Sequence, residues 1–284
     1  SVEDAVNAFW RKEAEASFGK YSFPGQSGSV ASHKGHCEHI PLSENQLKQW
    51  HDLQKTSGAS DIVLYMSLLY LFIAKTTGQR QGIIGTEFSG REDTSVSNDI
   101  GCYIKTLFIN IDPLGETSLG GVVDWVKNKY LQVIRNGEHP LELIFPTNSA
   151  DLRPSFNTLV ISHDFARIGL EKKQGVIKWK FMRPEQQSAM VDLQLEGFRT
   201  HSGLTIGLTF DTGIFSRDAA KTFAKYFQSF MDQVLKAPNL SVGDLTLIGD
   251  EERKSLITLG SGVIRPTEDN IVDNLVLASC NFGE

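Results

Sequence analysis

Residues 60–112 read SDIVLYMSLLYLFIAKTTGQRQGIIGTEFSGREDTSVSNDIGCYIKTLFINID, and this stretch organises the chain. Ser60 or Asp61 is placed to cap a helix by accepting a backbone N–H bond. Ile62 through Ala74 is apolar almost all round, the pattern of a helix covered by protein on every side. The run is too short and too interrupted for a bilayer span, which takes about 20 apolar residues. Gly78 suits the left-handed position just past the helix end. Gly82–Gly85 is expected as a short buried strand. Thr86-Glu87-Phe88-Ser89-Gly90-Arg91 is then a polar loop at its C-terminal end, where ligands of open α/β sheets tend to sit. From Ile100 to Ile111 the chain turns β-rich again.

Towards the N-terminus, Ser43 and Gln46 have capping-box spacing, and the helix after them presents Leu47, Trp50 and Leu53 before ending near Gly58. Cys37–Leu42 is a candidate strand, Tyr21–Lys34 a Gly- and Ser-rich mobile loop, and Val2–Phe18 an amphipathic helix. Towards the C-terminus, Thr117 or Ser118 caps a helix from Leu119 to about Arg135. Asn157–His163 and Val176–Met182 are strand candidates, the second with one wet face. Met190–Leu195 and Leu204–Phe210 pair as antiparallel strands joined across Glu196–Gly203. Ser216 caps the last long helix, to about Lys236, and Glu251–Lys254 opens a short helical segment. Strands and helices interleave without a regular βαβ rhythm, which predicts an α/β (α+β mixed) fold, a mixed sheet flanked by helices.

Composition narrows the function classes. The 284 residues carry 40% apolar side chains and 17 Phe, ample for a core, and a net charge of −6 with no basic run. That balance excludes nucleic acid as the expected partner, since phosphate binding needs clustered Lys and Arg. Cys37, Cys102 and Cys280, odd in number and widely spaced, read as free thiols of a reducing compartment. The polar N-terminus has no signal-peptide pattern, so a cytoplasmic protein without membrane attachment is expected.

Three short patterns invite chemistry. His33-Lys34-Gly35-His36-Cys37-Glu38-His39 offers zinc-type ligands, but no second Cys/His pair lies nearby, and a loop running into a strand is preferred; no metal is expected. Asp211-Thr212-Gly213 has the aspartic-protease lettering, yet that chemistry needs two carboxylates sharing a proton and the triplet occurs once, so it reads as strand end plus turn. His163-Asp164 beside a serine elsewhere is no triad by adjacency, since triad members meet in space; His163 reads as a strand residue.

GTEFSGR (85–91) followed by IGCYIKTLFINID (100–112) resembles the condensation domains of nonribosomal peptide synthetases, whose pattern there is roughly GTPxxGR, an acidic spacer, then IGxFVNTLxxR. Pro140-Leu141-Glu142 resembles the family's HQDxPFE, Met190-Val191-Asp192-Leu193-Gln194-Leu195 its FDLTL strand, and Leu208–Phe215 its LEYxTDLF segment, in order over roughly residues 8 to 258. The family's HHxxxDG motif, which holds its catalytic histidine, is absent, and no two histidines in the sequence are adjacent. The resemblance therefore implies the C-terminal lobe of a two-lobed, chloramphenicol acetyltransferase-like domain over 1–258, with 259–284 a linker towards a following domain.

The intact domain would form an amide between two thioester substrates carried on phosphopantetheine arms, and this segment alone would be inactive. No cofactor would bind directly. Partners would be carrier protein domains, the missing N-terminal lobe and adjacent synthetase domains. No catalytic residue is expected here. Gly85, Thr86, Arg91, Lys105 and Asp192 are implied as channel or structural residues, and Leu204–Phe210 with its preceding turn as the region crossing to the other lobe. The family arginine matched by Arg91 follows a loop flooring the channel, which its guanidinium would fix by bidentate bonds to carboxylate or backbone carbonyls; a solvent-facing turn arginine is the plain alternative. Lys105 stands where the family usually has Asn, and Asn136–His139 departs from His-Gln-Asp. These departures fit a second reading, a non-catalytic lobe that docks a carrier protein or neighbouring domain. A third is an acyl-CoA transferase of the same superfamily.

Overall fold

The computed structural model describes residues 2–15, 19–91, 96, 99–113, 115, 118–137, 156–168, 171–174, 176–180 and 187–262. The motif at Pro140–Glu142, Glu138 and His139, Cys280 and most of 259–284 lie outside them. The chain forms two compact units, Ser1–Leu247 and Ile248–Glu284.

The first unit is built on a six-stranded mixed sheet. Its strands are β1 (Gly35–Pro41), β2 (Gly82–Phe88), β3 (Lys105–Ile111), β4 (Thr158–Asp164), β7 (Leu193–Thr200) and β8 (Gly203–Asp211), in the order β1-β8-β7-β4-β2-β3. β2, β4 and β7 run parallel, and the remaining pairings are antiparallel. α5 (Phe165–Ile168) follows β4, and a separate hairpin joins β5 (Glu171–Gln174) to β6 (Ile177–Lys180).

α3 (Asp61–Thr77) lies at the centre of one face, and every residue from Ile62 to Ile73 is buried. α2 (Glu44–Ser57), α4 (Leu119–Arg135) and α6 (Arg217–Lys236) pack around it. Phe72 meets Phe223, Phe227 and Phe230 of α6 edge-on at 4.9–5.6 Å between ring centroids. Tyr65 fills the space over Gly197, where a Cβ would overlap its ring. α1 (Val2–Glu15) packs on the opposite face at the β3 edge: Trp10 lies 5.0 Å from the Phe108 ring, and Asn110 Nδ2 donates to Glu13 O at 2.7 Å. The second unit contains α7 (Asp250–Gly260).

The caps at Gly58 and Gly78 are left-handed, and both hydrogen bonds of the Ser43–Gln46 box form. Four expectations need correction. Ser60 occupies the N-cap of α3 but makes no side-chain cap bond, and Asp61 instead accepts both Nε and Nη2 of Arg199, together with Trp50 Nε1 and Gln54 Nε2. Thr86-Glu87-Phe88 is strand, not loop, because β3 and β4 pair on either side of β2. The β7–β8 turn is only His201-Ser202, so Glu196 lies inside a strand, and β8 is hydrogen-bonded along both edges rather than reaching outwards. Finally, 21–34 has no regular strand or helix yet is tied down: Tyr21 and Phe23 are in the core, and Ser27 and Gly28 N–H both donate to Ile214 O.

Candidate functional site

Side chains alternate across a strand, so the pairing assigns each one to a face. The helix-covered face takes Ile84, Thr86, Val160, Leu195, Gly197, Leu208 and Phe210, an apolar set apart from Thr86. The other face takes Glu87 of β2, Ile161 and His163 of β4, Gln194, Glu196 and Phe198 of β7, Gly207 and Thr209 of β8, and Cys37 and His39 of β1. Thr158 and Ser162 of β4 and Arg199 of β7 share the helix-covered face, while the side-chain carboxylates of Glu87 and Glu196 lie on the other.

Three residues of that other face form a cluster. His163 Nε2 lies 3.1 Å from Glu196 Oε1, with Glu196 only 5% exposed. The His163 ring is parallel to Phe198 at 5.0 Å and to Phe165 at 5.7 Å, which fixes its plane. Glu87 completes the group. Burial raises its carboxyl above the ordinary carboxylate range, the Glu196 charge adds to the rise, and His163 opposes it. An imidazole hydrogen-bonded to a carboxylate is held in a fixed orientation. No serine or cysteine nucleophile is hydrogen-bonded to His163 among the described residues. Beside the cluster, Gln194 and Thr209 are fully buried, and neither the Gln194 amide nor Thr209 Oγ1 has a hydrogen-bond partner.

The residues singled out in the sequence do not converge. Gly85 is covered by Phe156, whose ring a Cβ there would overlap. Thr86 is fully buried on the helix face with Oγ1 unpartnered. Arg91 follows β2 and holds its own loop: Nη1 donates to Val96 O at 2.6 Å, Nη2 to Gly101 O at 2.8 Å, and the guanidinium lies 4.4 Å from the Tyr103 ring centroid. Gly90 enables that turn at φ 64°, where a side chain would overlap Tyr103 O. Lys105 starts β3 opposite Phe88, one position out of phase with Glu87, which places it on the helix face. Asp192 sits at the other end of the sheet, before β7, where Oδ2 accepts from Asn157 Nδ2 at 3.0 Å. Asn157 in turn brackets Tyr21 through both its N–H and its carbonyl.

The strand at 35–41 splits its ligand-type residues. Cys37 Sγ lies 3.9 Å from His39 Nδ1 on one face, while His36 pairs with Glu38 at 2.7 Å on the other. Among the described residues no three His, Cys, Asp or Glu side chains converge as a metal site. Asp211 is a structural staple: it accepts Ser32 N and Oγ, Gly213 N and His33 N at 2.7–2.9 Å. Burial would raise its carboxyl, but these donors outweigh it and hold the group below the usual carboxylate range. A cavity of about 360 Å³ lies on the helix side, between Tyr70, Lys75, Arg80 and Val122. Among the described residues, no single helix is long and apolar enough to cross a membrane.

The His163–Glu196–Glu87 cluster depends on which strands are neighbours, which His163 and its flanking residues do not encode. The available signal was the alternation in Leu193-Gln194-Leu195-Glu196, which puts two polar residues on one face of a strand.

A family model described as Condensation domain matches residues 4–257. Surfactin synthase subunit 1 of Bacillus subtilis (strain 168) is 28% identical over 223 residues, which cover 75% of this chain and 6% of that protein. Tyrocidine synthase 3 of Brevibacillus parabrevis is 22% identical over 78% of this chain and 4% of its own length. Among solved structures, a holo four-domain nonribosomal peptide synthetase bound to AMP and glycine superposes with a TM-score of 0.76 at 18% identity, over 89% of this chain and 21% of that one. The X-domain from teicoplanin biosynthesis superposes at 0.75 with 16% identity, over 87% of this chain and 58% of that one. The chain thus spans a small fraction of the synthetases it matches, and its fold is that of condensation-domain structures.

Proposed function

The chain belongs to the condensation-domain family, and from that premise we propose that it is the C-terminal lobe of a nonribosomal peptide synthetase condensation domain. In the intact domain the acceptor amine nitrogen attacks the donor thioester carbonyl. A C–N bond forms, the C–S bond breaks, the carrier's phosphopantetheine thiol leaves, and the proton lost by nitrogen balances the thiolate. The reactive histidine belongs to the other lobe, since HHxxxDG does not occur in these 284 residues. This lobe supplies a channel wall and part of the carrier-docking surface; its contribution is positioning, which by itself gives large rate factors.

The observation that supports the reading is that Glu87, His163, Glu196 and Gln194 share the sheet face opposite the one packed by α3. A wall for a polar thioester channel needs such a face. Carrier proteins loaded with donor and acceptor, incubated with this chain alone, should give no amide, whereas the full-length protein should. Amide formed by this chain alone would overturn the assignment.

A docking role without chemistry is the second reading. Lys105 at the family's usual Asn position favours it, as does the fold shared with the X-domain, which has been solved in complex with OxyB. Carrier binding by a full-length protein that forms no amide from any loaded pair would select it.

A further inference from the structure

The cavity of about 360 Å³ on the helix side carries polar groups that the fold leaves unused. It lies between the last turns of α3, the start of α4 and the turn at 241–243, and its wall is apolar at Leu71, Ala74 and Val122. Tyr70 and Lys75 reach it from α3, and Arg80 from the segment before β2. Among the described residues that line it, none is a carboxylate.

Each of these three side chains has donors to spare. Lys75 Nζ donates to Gly243 O at 2.7 Å and to Val242 O at 3.2 Å, two neutral acceptors for three N–H bonds. Arg80 is exposed and makes no hydrogen bond or ion pair among the described residues. Tyr70 is only 5% exposed, yet its hydroxyl has no partner among the described residues either. A phenol buried to that extent normally finds one. Burial and the Asp112 charge raise its pKa while Arg80 opposes the rise, so the hydroxyl stays protonated and available as a donor. Asp112 is not part of the lining: its Oδ2 accepts from Gln81 Nε2 at 3.0 Å, and its Oδ1 is buried.

We propose that this cavity binds a small molecule with an oxyanion head and a short apolar body, a carboxylate or a phosphate monoester, with Arg80, Lys75 and Tyr70 holding the head. Three donors converge on one space, and the described lining offers them no carboxylate. An oxyanion supplies the missing acceptors, and a guanidinium matches either a carboxylate or a phosphate by paired N–H bonds. The apolar wall then takes the body of the ligand. The volume is at the small end of ligand sites, which run from about 300 to 1,000 Å³. The position of Lys75 in the last turn of α3 suits the negative end of the helix dipole, and that explains Lys75 alone. It leaves the free Tyr70 hydroxyl and the free Arg80 guanidinium beside an open cavity without a use. The site is on the helix side, across the sheet from Glu87 and Glu196, so it stands or falls independently of the channel reading.

The test is calorimetric titration of the full-length protein with isocaproate, with its neutral amide isocaproamide, and with isoamyl phosphate. The better of the two anions should bind about tenfold more tightly than the amide, the scale of a charge-assisted contact partly screened by water. Tighter binding of isocaproate identifies a carboxylate ligand, and tighter binding of isoamyl phosphate a phosphate monoester. Arg80→Gln should cut the preference to about threefold or less and leave the melting temperature of the free protein unchanged, since Arg80 holds nothing in the fold. Tyr70→Phe keeps the ring, removes the donor, and should weaken the anion more than the amide. Equal affinity for anion and amide, binding of neither anion, or a preference that survives Arg80→Gln overturns the proposal.

Discussion

Asp211→Asn should be the most informative single change away from the polar cluster, because every bond it disturbs is visible. Oδ1 accepts Ser32 N at 2.9 Å, Ser32 Oγ at 2.8 Å and Gly213 N at 2.7 Å, while Oδ2 accepts His33 N at 2.9 Å. An asparagine keeps one oxygen. Its Nδ2 turns a donor towards the His33 N–H, so that part-buried bond is lost, at a cost of about 1 kcal/mol. The remaining bonds change from charged to neutral acceptor, each losing about 0.5–1 kcal/mol. The total comes to about 3 kcal/mol, a large part of the stability of an ordinary domain. His33 is held at φ 58°, so the loop has no cheap relaxed alternative that keeps these contacts.

Urea denaturation of wild type and variant at pH 7 measures this as a shift in midpoint at constant m. The pH dependence supplies a second constraint. Asp211 has a folded pKa below its unfolded value, so its contribution is fully present above the unfolded pKa, near 3.9, and is lost as pH falls through the lower folded value. The gap between wild type and variant should therefore be flat from pH 7 down to about pH 4 and shrink below it. A variant within about 0.5 kcal/mol of wild type at pH 7, or a gap that ignores acid, would refute the staple.

Two further outcomes follow from local geometry. Arg91→Ala removes two charged bonds to loop carbonyls and the contact with Tyr103, so amide exchange at Gly101–Tyr103 should quicken about tenfold with a small drop in melting temperature; unchanged exchange and melting would show the guanidinium to be idle. Gly85→Ala sets a methyl into the Phe156 ring and should cost about 1–3 kcal/mol, whereas Gly120→Ala, in open space inside α4, should gain about 0.5–1 kcal/mol; equal effects on denaturation midpoints would contradict the packing.

What the sequence disclosed and what it withheld divide along physical lines. Helices announce themselves locally: the apolar run at Ile62–Ile73, the Ser43–Gln46 box and the glycines at 58 and 78 act within a turn or two of chain. The strand pairings are long-range. Thr86-Glu87-Phe88 looks like a loop until Lys105–Thr106 is known to lie against it, and Glu196 looks like the start of a turn until β8 folds back after two residues. The spacing of Ser60 and Asp61 suggested a local cap, but Arg199, 138 residues away, claims the carboxylate. Motif resemblance located Arg91 because its bonds are local too. It did not locate His163 or Glu87, whose association depends on which strands are neighbours.

The distribution of polarity over the sheet is itself an argument about use. β7 and β8 are paired along both edges, the position where a sheet normally buries apolar side chains on both faces. On the helix side these strands do so, with Leu195, Leu208 and Phe210 fully buried. On the other side the same strands carry Gln194, Glu196, Gly207 and Thr209, and two of these leave polar atoms unpartnered at a cost of about 1–3 kcal/mol for each group. Leucine or valine at those positions would be the stabilising choice if the face served only to complete a core. In β7 and β8 the helix-side residues satisfy local rules and Gln194 and Thr209 on the other side break them, which places that cost where binding or chemistry needs it. The neighbouring Glu87, His163 and Glu196 are the charged part of that same face, so substitutions that exchange Gln194 or Thr209 for apolar residues should raise stability and, in the full-length protein, lower discrimination between substrates.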